Sequence, residues 1–292
     1  MTRLSRREMM LASLLPLAFP AHASASRRIV SIGGAVTEIL YRLGAEPEIV
    51  GVDSTSQFPV DALGKKANVG YMRTLGAEGI LSLSPTLVLA SEAAGPPDAL
   101  RLIEQAGVTV VRITDEPSQV GIVRRIRDIA QAIGAQDRGA ALVEDVERGF
   151  SRLGQAHSKI ASGVRALFVL SIQNGRPLVG GRGTTADAML ALAGATNVAS
   201  SLEGWKPLSD EGLIAAAPEV IVMVSHGPGG AAADPFALPS FAATPAAAKR
   251  RLVVMDTLYL LGFGPRTPNA AGDLMLALYP DLADEAKKAL RP

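Results

Sequence analysis

Tyr71 and Arg73 are the residues of this chain whose types and spacing point most clearly to chemistry. They lie two positions apart in Asn68-Val-Gly-Tyr-Met-Arg73, in a chain that has no cysteine and only three histidines. A tyrosine phenolate is a hard oxygen ligand for ferric iron, and a nearby cation favours the deprotonated form. The segment therefore predicts a ligand for ferric iron. The alternative interpretation is a half-buried loop tyrosine beside a solvated arginine.

The composition argues against several other classes of function. The sequence has no His-Glu-x-x-His motif, no Gly-x-Ser-x-Gly nucleophile turn and no cysteine, so an enzyme is not expected. It carries 29 basic and 28 acidic residues. Without a basic run in the mature part, nucleic acid and anionic membrane surfaces are poor candidate partners.

Residues 1–25 are predicted to be an export signal. Arg6 and Arg7 precede an apolar segment at 9–19, and the small residues that follow it, up to Ala25, offer cleavage sites. The paired arginines favour the twin-arginine route, and an ordinary secretory signal is the alternative. The apolar segment is shorter than the roughly 20 residues that span a bilayer. We therefore expect the mature protein in the periplasm.

Two patterns occur twice in the chain, in the same order. The first pattern is found at residues 78–85 and again at residues 211–218, and an apolar run follows it in both places. Residues 33–45 and 183–195 share a glycine followed by a helical pattern that ends in Gly-Ala. In the first pair, a short helix stopped by proline leads into a buried strand. The repeated order predicts two similar lobes.

Each predicted lobe alternates strands with helices. Runs that are apolar on both faces predict parallel α/β sheets. The predicted strands are 29–32, 49–52, 87–89 and 108–113 in an N-terminal lobe of residues 26–136, and 166–170, 198–199, 220–224 and 252–255 in a C-terminal lobe of residues 162–292. Residues 137–161 lack proline and have apolar residues at helical spacing, which predicts one long connecting helix with Asp137 as its N-cap.

Three segments together resemble the helical-backbone (class III) substrate-binding proteins of ABC importers, and among them the periplasmic haem-binding proteins. They are residues 28–38, the segment that contains Tyr71 and Arg73, and residues 260–267. The resemblance covers essentially the whole mature chain. It implies an α/β fold of two Rossmann-like lobes joined by a single long helix, with a ligand cleft between the lobes. It also implies a binding protein that transports ferric haem b and has no enzymatic activity.

The resemblance gives Tyr71 and Arg73 specific roles. Tyr71 would be the axial ligand of the haem iron, and Arg73 could donate a hydrogen bond to the phenolate oxygen. The porphyrin faces need apolar walls. The candidates for these walls are Met72, Phe236, Leu258, Tyr259 and Leu261.

The haem propionates need cations or backbone amides. Arg182 and Arg266 are the expected cations, and Arg176 is a weaker candidate beside Pro177. The amides at 33–34, ahead of a predicted helix, are further candidates. Each arginine has the alternative interpretation of a surface charge or an ion pair between the lobes.

A second iron ligand is less evident. Some relatives carry a histidine in the second lobe that contacts iron from the other side or holds a second haem, and the corresponding segment at 170–175 has none. His226, in a loop after a predicted strand, is the substitute candidate. Its alternative interpretation is a solvent-exposed loop histidine.

Glu78 and Glu211 hold equivalent places in the repeat. Proteins of the resembled family use one surface glutamate per lobe to dock onto arginines of a dimeric membrane permease, which a monomeric two-lobed protein can engage symmetrically. These carboxylates would also complement helix dipoles.

A ferric siderophore or a corrinoid is the alternative cargo for the same fold.

Overall fold

The computed structural model describes residues 27–225, 234–282 and 284–290. The predicted export signal at 1–25 lies outside this part of the chain. Within it, no helix combines the length and the apolar character needed to cross a membrane.

Strands and helices alternate along most of the described chain. The strands are β1 (Ile29–Ile32), β2 (Ile49–Val52), β3 (Ala67–Asn68), β4 (Leu87–Ser91), β5 (Thr109–Ile113), β6 (Arg165–Gln173), β7 (Arg176–Gly180), β8 (Thr196–Asn197), β9 (Trp205–Pro207), β10 (Val220–Ser225) and β11 (Leu252–Asp256). The helices are α1 (Gly34–Arg42), α2 (Ala62–Lys65), α3 (Ala77–Leu81), α4 (Pro97–Gln105), α5 (Gln119–Ala132), α6 (Gln136–His157), α7 (Thr185–Leu192), α8 (Asp210–Ala216), α9 (Pro239–Ala242), α10 (Pro245–Ala248), α11 (Thr257–Leu261), α12 (Thr267–Leu278) and α13 (Asp284–Leu290). Short 3-10 helices lie at Glu46–Glu48 and Pro235–Ala237.

The N-terminal lobe is built on a parallel sheet of order β3-β2-β1-β4-β5. Side chains alternate between its two faces. Ile29 and Leu89 belong to one apolar core, whereas Val30, Ile32 and Val88 belong to another. Both faces of these strands are apolar because helices cover a parallel sheet on both sides.

The C-terminal lobe contains a sheet of order β11-β10-β6-β7-β9, with β8 paired to β6. The expectation of a wholly parallel sheet is wrong here, because β7 runs antiparallel between β6 and β9. Asn174 and Gly175, with φ angles of 51° and 77°, form the tight turn that reverses the chain. The strand expected at 198–199 lies two residues earlier, as β8.

The long helix α6 connects the two lobes. Its N-cap is Ala135, so the expectation of Asp137 as N-cap is wrong. Asp137 instead lies in the first turn, where a carboxylate complements the positive end of the helix dipole.

One apolar core is shared by both lobes. Leu142 and Val146 of α6 belong to it, together with Ile29 from the first sheet and Phe168 from the second. Each sheet also has a separate core on its other face. We therefore expect the lobes to be coupled through the shared core around α6 rather than to move as independent domains.

The two repeated segments fold alike. In the first, α3 leads into β4, and in the second, α8 leads into β10. Ser84 and Ala217 hold the same place in the two segments and have φ angles of 46° and 42°, in the left-handed region. Each precedes the proline that ends its helical segment. The predicted α/β fold of two similar lobes is confirmed.

Candidate functional site

The carboxyl ends of the two sheets face each other between the lobes. Leu258 follows β11, and Gly34 follows β1. A Cβ atom on Gly34 would lie 2.5 Å from a methyl carbon of Leu258 and 2.5 Å from the Thr55 carbonyl oxygen, and because the backbone oxygen has little freedom to move, glycine suits this close approach. Ligands of α/β sheets usually bind beyond the carboxyl ends of parallel strands. The cleft along these facing edges is therefore the candidate functional site.

The loop that carries Tyr71 follows the edge strand β3 and is held on both sides. The Ser54 amide donates a hydrogen bond to the Gly70 carbonyl, and the Gly95 amide donates one to the Met72 carbonyl, both at 2.8 Å. Gly70 has a φ angle of 93°, which favours glycine. The neighbouring loops after β2 and β4 thus fix the backbone around Tyr71.

Side chains in this loop alternate between inward and outward positions. Met72 points inward, with its sulfur 3.9 Å from the Thr55 hydroxyl. Tyr71 is 45% exposed and Arg73 is also exposed. Within the described part of the chain, neither the Tyr71 hydroxyl nor the Arg73 guanidinium forms a hydrogen bond. The loop therefore presents a phenol and a cation to the cleft edge with both groups available to a ligand.

The amides at the start of α1 are not available to a propionate, so that expectation is wrong. The Gly33 amide donates to the Asp53 carboxylate at 2.8 Å, and the Gly34 amide donates to the Thr55 hydroxyl at 3.0 Å. Asp53 is fully buried. The chain's own carboxylate therefore occupies the anion-binding position that a helix N-terminus offers.

Arg266, an expected propionate contact, is engaged by groups of the protein itself, and its contact with a propionate stays a prediction. Its guanidinium forms an ion pair of 3.1 Å with the buried carboxylate of Glu38. The same group lies 3.5 Å from the ring centre of Phe58 and 5.1 Å from that of Tyr259. Burial raises the pKa of Glu38, and Arg266 offsets part of that rise. Arg266 thus joins the C-terminal lobe to Glu38 and Phe58 of the N-terminal lobe.

Arg125 is a second buried contact between the lobes, and the sequence analysis did not identify it. From α5 in the N-terminal lobe it donates hydrogen bonds to the carbonyls of Gly262 at 3.3 Å and Phe263 at 2.7 Å. It also bonds to the Thr114 carbonyl at 2.8 Å and pairs with Asp115 at 3.4 Å. Its side chain is 2% exposed. Arg125 therefore holds the segment between α11 and α12 against the N-terminal lobe.

Arg176 and Arg182 lie at opposite ends of β7. Arg176 pairs with Gln173 at the carboxyl end of β6. Arg182 lies just after the other end of β7, and because β7 runs antiparallel to β6, this end is nearer to the beginning of β6. The Arg182 guanidinium is 4.0 Å from the Glu203 carboxylate. The hairpin therefore places Arg182 at the other end of β7 from Arg176, and its contact with a propionate stays a prediction.

Three candidate residues remain. His226, the candidate second ligand, lies outside the described residues. Glu78 and Glu211 are exposed in the first turns of α3 and α8, one in each lobe.

Comparison with known proteins finds relatives of the whole fold. The periplasmic haem-binding protein BhuT, in a structure with two haems, is 41% identical, with a TM-score of 0.82 over 88% of this chain and 99% of that chain. The periplasmic haem-binding protein RhuT from Roseiflexus sp. RS-1, in apo form, is 40% identical, with a TM-score of 0.83 over 88% and 100%. A vitamin B12-binding protein of Vibrio cholerae is 27% identical over 73% of this chain and 74% of its own length.

The family assignment rests on the sequence and on the fold together. The sequence profile of the periplasmic binding protein family matches residues 29–258, from β1 into α11. Its members among the relatives above are solute-binding proteins rather than enzymes, and the haem-binding ones have the class III fold that the resemblance implied. The chain belongs to the periplasmic binding protein family.

Proposed function

We propose that this protein captures ferric haem in the periplasm and delivers it to an ABC-type permease. The observation that carries the proposal is Tyr71, a half-exposed phenol on a loop whose backbone is fixed by hydrogen bonds at the cleft edge. Two relatives of about 40% identity are described as periplasmic haem-binding proteins, which supports the same ligand.

The chemistry of Tyr71 and Arg73 suits the capture of ferric haem. A phenolate oxygen is a hard donor and binds ferric haem iron as an axial ligand. A guanidinium two residues away can donate a hydrogen bond to that oxygen and stabilise its negative charge. Both side chains are exposed and form no hydrogen bond within the described part of the protein, so a ligand can contact them without breaking an internal bond. Capture then needs no rearrangement of this loop.

A corrinoid is the second candidate cargo, because a vitamin B12-binding protein is among the relatives. A ferric siderophore is the third. A siderophore already saturates its iron and gains nothing from a protein phenolate. The exposed phenol of Tyr71 therefore favours haem over a siderophore, and the higher identity to the haem-binding relatives, 41% and 40% against 27%, favours haem over a corrinoid.

Equilibrium binding of three probes tests this choice of cargo. The mature protein is titrated with ferric haem, cyanocobalamin and ferrichrome, with quenching of the fluorescence of its single tryptophan as a common readout. We expect ferric haem to bind at least about a hundredfold more tightly than the other two, a difference of roughly 3 kcal/mol. Tighter binding of cyanocobalamin or ferrichrome would overturn the proposed cargo and leave the fold unaffected.

The proposed delivery step uses Glu78 and Glu211. They are exposed, occupy equivalent positions in the two lobes, and form no ion pair within the described part of the chain. Two equivalent carboxylates can meet two equivalent cations of a two-fold symmetric permease.

Substitution of these glutamates is expected to weaken docking without changing haem capture. An exposed ion pair contributes up to about 1 kcal/mol, so Glu78→Gln and Glu211→Gln should each weaken binding to the permease by about fivefold. Their effects should multiply in the double variant, because the sites lie in different lobes. The measurement is binding to the nanodisc-embedded permease by interferometry. Glu144→Gln on α6 is the control, and equal affinities of all variants would contradict the proposal.

A further inference from the structure

Asp53 is a fully buried carboxylate directly after β2, and it forms no ion pair within the described part of the chain. The carboxylate instead accepts four hydrogen bonds. One oxygen accepts from the Gly33 amide at 2.8 Å and from the Ser56 hydroxyl at 3.1 Å. The other accepts from the amide of Thr55 at 3.0 Å and from its hydroxyl at 2.7 Å. An ionised carboxylate suits this place because both of its oxygens only accept hydrogen bonds.

The four bonds set the conformation of the turn at residues 53–56. Thr55 and Ser56 belong to this turn, so three of the bonds close it on itself. The Ser56 hydroxyl lies 2.7 Å from the Thr37 hydroxyl of α1, and both groups are buried. The turn is therefore anchored to the start of α1 as well as to the end of β2.

The same turn supports the iron-ligand loop on both sides of Tyr71. The Ser54 amide donates a 2.8 Å hydrogen bond to the carbonyl of Gly70, the residue before Tyr71. The Thr55 hydroxyl lies 3.9 Å from the sulfur of Met72, the residue after it. A change in the shape of the turn would therefore move the backbone that carries the phenol.

We infer that Asp53 is a positioning residue for the iron ligand, because it shapes the turn that holds Tyr71 in place for ferric haem. This inference rests on the proposed function. Partners that orient a metal ligand typically contribute about 10- to 100-fold to metal affinity. Asp53 acts through the backbone and not through a bond to the phenol, so its contribution should lie near the lower end of this range.

Asp53→Asn is the variant that disturbs the turn with the smallest change in volume. It replaces one carboxylate oxygen with an amide group that donates hydrogen bonds. In one orientation this group faces the Thr55 amide, and in the other it faces the Gly33 amide. Either way, a buried backbone amide loses its acceptor, and the turn has to shift to find another.

The test compares two probes that differ only in the metal. They are ferric protoporphyrin IX and metal-free protoporphyrin IX, which has the same ring and carboxylates but no iron for Tyr71 to bind. Quenching of the single tryptophan reports the binding of both. Asp53→Asn is expected to bind ferric protoporphyrin IX about tenfold more weakly than the wild type, and to bind the metal-free ring as the wild type does.

Asp187→Asn is the matched control, because it makes the same substitution in the C-terminal lobe. The Asp187 carboxylate also accepts a hydrogen bond from a glycine amide, that of Gly183 at 3.3 Å, and one from Asn197 at 2.8 Å. It has no contact with the loop of Tyr71 among the described residues. Both affinities should stay at the values of the wild type.

The outcomes separate the inference from the proposed function. Unchanged binding of ferric protoporphyrin IX by Asp53→Asn would overturn the role of Asp53 while capture of haem stands. An equal loss for the two probes would also overturn it, since Asp53 would then shape the cleft as a whole. Failure of the wild type to bind ferric protoporphyrin IX would overturn the proposed function and the inference together.

A second variant decides the question if urea unfolding shows that Asp53→Asn does not fold. Thr55→Val keeps the carboxylate and removes one hydroxyl, which bonds to Asp53 at 2.7 Å and to the Gly34 amide at 3.0 Å. We expect a loss of about threefold for ferric protoporphyrin IX and none for the metal-free ring. Unchanged binding of ferric protoporphyrin IX, or equal losses for the two probes, would again overturn the inference.

Discussion

Replacing Arg125 with methionine is expected to lower the free energy of unfolding by about 3–5 kcal/mol, because three backbone carbonyls lose their hydrogen-bond donor. Arg125 is almost fully buried and hydrogen-bonds to the carbonyls of Thr114, Gly262 and Phe263. Methionine fills much of the volume but donates no hydrogen bond. The carbonyls would lose their partner at the contact between the lobes, where a buried unsatisfied group costs about 1–3 kcal/mol.

Urea unfolding of the ligand-free protein measures this effect. Arg124→Met is the matched control, because Arg124 is the neighbouring residue of α5 and is exposed, and its one ion pair among the described residues is a 3.7 Å contact with Asp128. Exposed pairs of this kind contribute little, so the control should stay within about 0.5 kcal/mol of the wild type. Similar stabilities of the Arg125 and Arg124 variants would show that the buried contact does not hold the lobes together.

Much of the fold could be predicted from the sequence because its parallel strands are apolar on both faces. The predicted strands at 29–32 and 49–52 match β1 and β2, and the repeated segments correspond to α3–β4 and α8–β10. The strands β3 and β9 have only two and three residues, too few to show a period. The hairpin before β7 did have a signal, the Asn174-Gly175 pair, which favours a tight turn.

The residues that join the lobes were harder to predict because their partners are distant in the sequence. Arg266 pairs with Glu38 across 228 positions, and nothing local distinguishes it from an arginine that is free to bind a ligand. Arg125 did carry a local signal. It lies three residues after Ile122 and four before Ile129, on the buried face of α5. An arginine on an apolar helix face predicts a buried partner, although the sequence does not say which one.

Replacing Tyr71 with phenylalanine is expected to reduce the affinity for ferric haem by at least about a hundredfold. Residues that merely support a metal ligand typically contribute about 10- to 100-fold to affinity, so loss of the ligand itself should have at least the larger effect. The stability of the ligand-free protein should be unchanged. The Tyr71 side chain is 45% exposed, and its hydroxyl forms no hydrogen bond within the described residues.

Tyr259→Phe is the matched control for the loss of a phenol near the cleft. The Tyr259 hydroxyl donates a hydrogen bond to Asp273 at 2.8 Å. Burial and the Asp273 carboxylate raise the pKa of Tyr259 far above its ordinary value, so this phenol stays protonated and is a poor ligand for iron. Its removal should leave the haem spectrum unchanged.

The most direct test of haem capture through Tyr71 is a ferric-haem titration followed by visible absorption, on the wild type, Tyr71→Phe and Tyr259→Phe. We predict that the wild type and Tyr259→Phe saturate with the spectrum of a high-spin ferric haem bound to tyrosinate. That spectrum should be absent from Tyr71→Phe. The same spectrum and affinity in Tyr71→Phe would contradict the assignment of Tyr71 as the iron ligand.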